Sequence, residues 1–164
     1  MIIFGIDPGS RITGFGVVEC KNGTFKHINH GAIHLETDLG FPERMLDLSG
    51  SLQGLLQKYQ PQVVVIEKIF LGKNADSAFK LGHARGVALL EAARSRAQVV
   101  EYATRIVKKG LTGHGGADKE SVQLFVQRIL GLQEIRQIDA SDALALALYH
   151  GFQVGRPQLK GVEI

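Results

Sequence analysis

Cysteine is nearly missing from this chain: Cys20 is the single one among 164 residues, so no internal disulfide can form and stability must come from packing. There is no signal-peptide pattern and no apolar run long enough to span a membrane. A soluble cytoplasmic protein with no membrane contact is expected. Internal repeats and low-complexity segments are also lacking, and the histidines, His83 and His114 among them, sit at no metal-ligand spacing. They are expected to be ordinary surface or core residues.

What is present fits one domain, since a chain of about 150 residues buries roughly 70% of its unfolded surface. The domain is expected over residues 1–155, with a flexible polar tail at 156–164. The net charge is only +3, but it is unevenly spread. Residues 1–67 hold 5 Lys/Arg against 7 Asp/Glu, residues 68–128 hold 11 against 5, and residues 129–164 hold 3 against 4. A basic middle between acidic ends suits a polyanion-binding surface beside a carboxylate-bearing one. A solvated helix face would give the same count.

The chain opens on Ile2-Ile3-Phe4-Gly5-Ile6-Asp7-Pro8-Gly9, an apolar strand buried on both faces that ends in a carboxylate and a turn. Gly14 and Gly16 in the next strand leave room for another backbone, and a large substrate is expected to use that room to reach Asp7. Taken alone, Asp7 would serve equally well as a turn-capping residue. The second strand spans Ile12 to Glu19, and Lys21-Asn22-Gly23 is a hairpin signal leading to a third strand over Thr24 to Leu35.

Pro42 suits the first turn of a helix in which Met45, Leu48, Leu52, Leu55, Leu56 and Tyr59 recur at helical spacing. Pro61 ends it. Val63-Val64-Val65-Ile66-Glu67 is then a second β-branched run finishing in an acid, and a strand reached through a crossover helix should lie parallel to the first. Glu67 is therefore expected beside Asp7.

Asn74 is a plausible cap for a helix to about Arg96, whose broad apolar surface suggests burial on more than one side. Gly82 and Gly86 would let another helix approach, with packing inside the domain as the default. A fifth strand at Val99-Val100 leads to a basic helix with Arg105, Lys108 and Lys109. Leu111 to Ala117, with three glycines, is expected as a mobile loop. Asp118 caps the next helix, Lys119 lies in its first turn, and a final helix spans about Ala140 to Phe152. The fold class is α/β: a five-stranded mixed sheet, three strands antiparallel and then two parallel, flanked by helices.

Asp139 and Asp142 begin that last helix on one face, where the helix dipole alone would favour acids by about 0.3–1 kcal/mol. Joined to Asp7 and Glu67 they need more than that, because charges about 4 Å apart repel by roughly 4 kcal/mol at an effective dielectric of 20. A cation is implied. All-oxygen ligands point to Mg²⁺ or Mn²⁺, and two such ions can drive phosphodiester hydrolysis.

The ordered set of motifs resembles the RuvC-type Holliday junction resolvases of the ribonuclease H-like superfamily. It comprises Gly5-Ile6-Asp7-Pro8-Gly9, Thr13-Gly14-Phe15-Gly16, Ile66-Glu67 with Phe70, Asn74 to Ala78, Lys80-Leu81-Gly82, Ala84-Arg85-Gly86, Thr112-Gly113, Lys119 and Asp139 to Ala145. The resemblance implies a ribonuclease H-like fold and four acidic metal ligands, Asp7, Glu67, Asp139 and Asp142, holding two Mg²⁺ ions per site, with Mn²⁺ as a substitute. It implies that Phe70 stacks on an unpaired base and that Lys108 and Lys119 contact phosphates. It also implies a homodimer that nicks opposing strands of a four-way DNA junction symmetrically, leaving 5′-phosphates, with RuvA and RuvB as branch-migration partners in recombination and repair. Lys68 and Thr104 depart from the family pattern, Thr104 standing where proline is frequent; both bear on local loop shape.

Two other classes share parts of the pattern. An actin-like ATPase or sugar kinase also opens on Gly-Ile-Asp-x-Gly, but closing over a nucleotide needs two such domains. A non-catalytic nucleic-acid-binding module of the same fold would not need all four acids.

Overall fold

The computed structural model describes residues 1–68 and 75–155. The expected roles of Phe70 and Asn74, and the tail at 156–164, lie outside the described residues. Strand β1 (Ile2–Asp7) pairs antiparallel with β2 (Ile12–Lys21), which pairs antiparallel with β3 (Thr24–His34). The β2–β3 turn is Asn22-Gly23, with φ of 51° and 76°, as a two-residue hairpin of the mirror-image type requires. Helix α1 (Phe41–Tyr59) carries Pro42 in its first turn and returns the chain to β4 (Val63–Lys68), parallel to β1. Helix α2 (Ala75–Arg94) leads to β5 (Gln98–Ala103), parallel to β4. The sheet order is β3-β2-β1-β4-β5, three antiparallel strands followed by two parallel ones. Helices α3 (Thr104–Thr112), α4 (Lys119–Leu130) and α5 (Ile138–Gly155) complete the described residues.

The sheet is covered on both faces, which is why β1 and β4 are apolar at nearly every position. On one face Phe4, Ile6, Val64 and Ile66 meet α1 and α2 through Leu48, Leu52, Ala84 and Ala88. On the other, Ile3, Val18, Val63 and Val65 meet α3, α4 and α5.

Three expectations need correcting. The room at Gly14 and Gly16 is not left for substrate: a Cβ on Gly14 would overlap the carbonyl oxygen of Asp139, and one on Gly16 would strike Leu144. Helix α5 fills that space, and Gly5 likewise admits the Ala143 carbonyl. Leu111 and Thr112 are not loop. They close α3, with Leu111 buried, and the glycines set the turn only from Gly113, whose φ of 81° ends the helix. Helix α2 is not buried on several sides: Ala84, Ala88, Glu91 and Ala92 are buried, while Phe79 is 69% and Leu90 49% exposed. Nor do Gly82 and Gly86 meet an internal neighbour, for a Cβ at either would reach nothing within 4 Å among the described residues.

Candidate active site

Carboxylates from three elements meet at one edge of the sheet. Strands β1 and β4 are in register at Ile6 and Ile66, so the next residue on each, Asp7 and Glu67, emerges at the same edge. The turn after Asp7 is fixed by Thr13, a buried residue whose hydroxyl accepts from the Gly9 amide at 3.1 Å and donates to the Gly9 carbonyl at 3.0 Å. Gly14 pairs with Asp7 across the sheet, and its missing side chain lets the first turn of α5 settle there. That contact delivers Asp139 and Asp142.

Burial and the neighbouring acids together shift the titration of this edge. Burial, then the charge of Glu67 and a hydrogen bond with it, then Asp142 and Asp139, push Asp7 up to about 9. Such a group holds its proton at neutral pH unless a cation replaces it. Asp142 is also raised, because burial outweighs the opposing pull of Lys119. Lys119 Nζ donates to Asp142 Oδ2 at 3.0 Å, and that bond raises the lysine in turn.

An all-oxygen, half-buried donor set at one sheet edge suits a hard divalent cation in chemistry and position. As the side chains stand, no group of three or more His, Cys, Asp and Glu among the described residues is in metal-holding geometry. Two competing contacts explain it: Asp142 leans to Lys119, and Asp7 shares a hydrogen bond with Glu67. Ligation therefore competes with an ion pair and with a shared proton.

Of the sequence-derived candidates, the structure brings together Asp7, Glu67, Asp139, Asp142 and Lys119. Lys108 borders the same small cleft as Glu67, Thr104 and Asp142, but its ammonium turns to the Ala117 carbonyl at 3.0 Å, tying down the loop before α4. Two side chains that touch Glu67 have no role readable from sequence. Arg85 Nε donates to the Glu67 backbone carbonyl at 3.2 Å, and its guanidinium pairs with Glu101 of β5. Arg85 stands inside the Ala84-Arg85-Gly86 motif, so the signal is there without its meaning. Thr104 stands out in the sequence only as a departure from the family pattern.

Among known proteins, the family described as crossover junction endodeoxyribonuclease RuvC matches residues 3–150. The chain belongs to the RuvC family. RuvC of Bdellovibrio bacteriovorus is 58% identical over 159 residues, covering 97% of this chain and 95% of that protein. The solved Thermus thermophilus RuvC structure is similar at a TM-score of 0.85 and 33% identity, over 94% of this chain and 95% of that one. T. thermophilus RuvC in complex with a Holliday junction substrate matches at a TM-score of 0.85 and 30% identity, with the same coverage. The ribonuclease H-like sheet expected from the motifs is the one found. A RuvC-family endonuclease is the supported reading, and the actin-like ATPase or sugar-kinase reading is not favoured. Among the described residues no helix is long and apolar enough to cross a membrane.

Proposed function

We propose that this chain resolves four-way DNA junctions by paired, symmetric phosphodiester cuts, acting in the cytoplasm in recombination and repair. The observation that carries the reading is the convergence of Asp7, Glu67, Asp139 and Asp142 on one edge, with Asp7 pushed up to about 9 by burial and by the neighbouring acids. These four acids would hold two Mg²⁺ ions, or Mn²⁺ in their place, which when bound supply activation of the attacking water and stabilisation of the leaving oxygen. The chain's own groups do the rest. Gly9 and Thr13 fix Asp7, and the glycine-lined seat of α5 fixes Asp139 and Asp142. Lys119, which holds Asp142 at 3.0 Å, would turn to a phosphate oxygen once a cation was bound. Lys108 steadies the adjoining loop and adds positive charge to the cleft. Phe70 is assigned to stacking on an unpaired base at the junction, and cleavage is assigned to leave a 5′-phosphate.

A two-fold substrate suits a two-fold enzyme. The exposed face of α2, with Phe79, Gly82, Gly86 and Leu90 at helical spacing, is where a second copy would pack. RuvA and RuvB are the proposed partners that bring the junction.

The deciding experiment is cleavage of a mobile four-way junction in Mg²⁺. Wild-type protein should give symmetric nicks with 5′-phosphates, and Asp7→Asn and Glu67→Gln should slow cutting by about 10³-fold or more, the equivalent of several kcal/mol. Junction binding by both variants should persist. Wild-type binding without cutting would return the non-catalytic module.

A further inference from the structure

Among the described residues, Glu67 alone of the site's acids is met by a neutral hydroxyl from a different element. The β4–β5 register pairs Glu67 with Tyr102 and Lys68 with Ala103, so the chain turns from β5 into α3 directly beside Glu67. The first helical residue is Thr104, and its Oγ1 donates to Glu67 Oε1. Helix formation does not account for a threonine here. Proline is the favoured residue at a first helical position and threonine a poor helix former. The cap residue, Ala103, contributes no side-chain bond, and Thr104 itself is exposed rather than packed. What the side chain does is engage Glu67 from α3 while Asp7 engages it from β1.

We propose that Thr104 is a positioning residue for the metal site: its hydroxyl holds one oxygen of Glu67, fixes the side chain that also meets Asp7, and so tightens divalent-cation binding. A glutamate side chain has three rotatable bonds, and a ligand already fixed loses less freedom when the cation arrives. Partners of this kind behind a metal ligand commonly set affinity as well as orientation. The inference rests on the metal-nuclease reading above, and it is specific to this chain's choice of residue at 104.

The test measures Mn²⁺ binding to the full-length protein by calorimetry, without DNA, for wild type and for Thr104→Val, Thr104→Pro and Thr104→Ser. Valine keeps the branched shape, proline keeps or improves the helix start, and serine keeps the hydroxyl. Valine and proline should weaken Mn²⁺ binding by about threefold to tenfold, the range of one hydrogen bond, while serine stays within about twofold of wild type. Thr104→Pro should do so with an unchanged or higher melting temperature, which separates positioning from folding. In cleavage, the Mg²⁺ concentration for half-maximal rate should rise for valine and proline more than the saturated rate falls. Mn²⁺ affinity in both variants equal to wild type overturns the proposal, as does equal weakening by serine. No Mn²⁺ binding by wild type would overturn instead the metal reading on which it stands.

Discussion

Helix α5 lies on glycines that belong to the sheet, whereas helix α2 carries its own glycines where they meet nothing among the described residues. At α5 the space above Gly5, Gly14 and Gly16 is filled by helix backbone, and Ala140 to Gly151 are buried nearly throughout. At α2 the space above Gly82 and Gly86 is open, with Phe79 and Leu90 exposed beside it. The residue type is the same and its use is opposite. Filled glycines seat the helix that carries two acids of the site against the sheet. Open ones mark a surface that the described residues leave uncovered, so the proposed catalytic wall and the proposed dimer face are built from the same simple device.

The largest effect should come from breaking the filled side. Gly14→Ala puts a methyl group into the Asp139 carbonyl, and neither backbone can yield without moving α5. Overpacking of this kind costs about 1–3 kcal/mol and more where backbone is struck, so we expect about 3 kcal/mol or above. Cleavage should be lost even at temperatures where the variant stays folded, because Asp139 and Asp142 move with the helix. A melting curve and single-turnover cleavage in the cold check both halves. Normal stability would mean that α5 is not seated as the structure has it.

Next in size is the open side. Phe79→Glu with Leu90→Glu places charge on the uncovered face of α2 without touching the domain core. Burying each original side chain is worth about 1.5–3 kcal/mol, and the two-fold axis counts each twice. Sedimentation at micromolar concentration should show monomer, and paired nicks should give way to single, uncoupled ones. A double variant that remains dimeric would put the interface elsewhere.

The contrast also shows what a sequence makes legible. Local chemistry was readable: Asn22-Gly23 dictates its turn, Pro42 and Pro61 bracket a helix, and two β-branched runs ending in acids place Asp7 beside Glu67. Long-range occupancy was not. Nothing local to Gly14 says whether a helix, a substrate or a second chain will occupy its space, and nothing along α2 distinguishes a face to be covered inside the domain from one left open. Leu111 and Thr112 were lost to the loop for a related reason, since glycine at 113 ends a helix as readily as it begins a loop. Thr104 was legible only as an oddity, because its partner is 37 residues away.

A pH-dependent effect isolates the charge at the filled site. Asp7 titrates at about 9 in the folded protein against 3.8 in the unfolded chain, so the folded state holds a proton that the unfolded state releases. Stability from this group is complete below about 4 and is lost as pH rises through 9. Asp7→Asn removes that dependence. Without added metal, its melting temperature should exceed that of wild type by an amount that grows from pH 4 to pH 9. Each gain of about 1 kcal/mol would read as roughly 2–4 °C in a chain of this size. Added Mg²⁺ should shrink the difference, since it stabilises the wild-type carboxylate and not the amide. A difference that shrinks with pH would contradict the crowding of the four acids.

The smallest effect is the control that decides whether the open glycines of α2 mean anything. Gly50 and Gly54 of α1 are exposed, and a methyl group on either would also find nothing within 4 Å among the described residues. They differ from Gly82 and Gly86 in their apolar surroundings: among the described residues of α1 only Leu46, one turn before Gly50, is a large exposed apolar side chain, and none stands beside Gly54. Alanine at a solvent-facing helix interior stabilises by up to about 1 kcal/mol relative to glycine. Gly50→Ala and Gly54→Ala should therefore raise the melting temperature slightly and leave dimer dissociation unchanged. Gly82→Ala and Gly86→Ala should give the same gain within one protomer, yet weaken the dimer, because a methyl there holds a facing helix away. Comparing melting temperature with a sedimentation-derived dissociation constant for the four variants separates the two roles. If all four stabilise alike and none moves the dimer, the α2 glycines are as incidental as those of α1, and the likeness between the filled and the open device is lost.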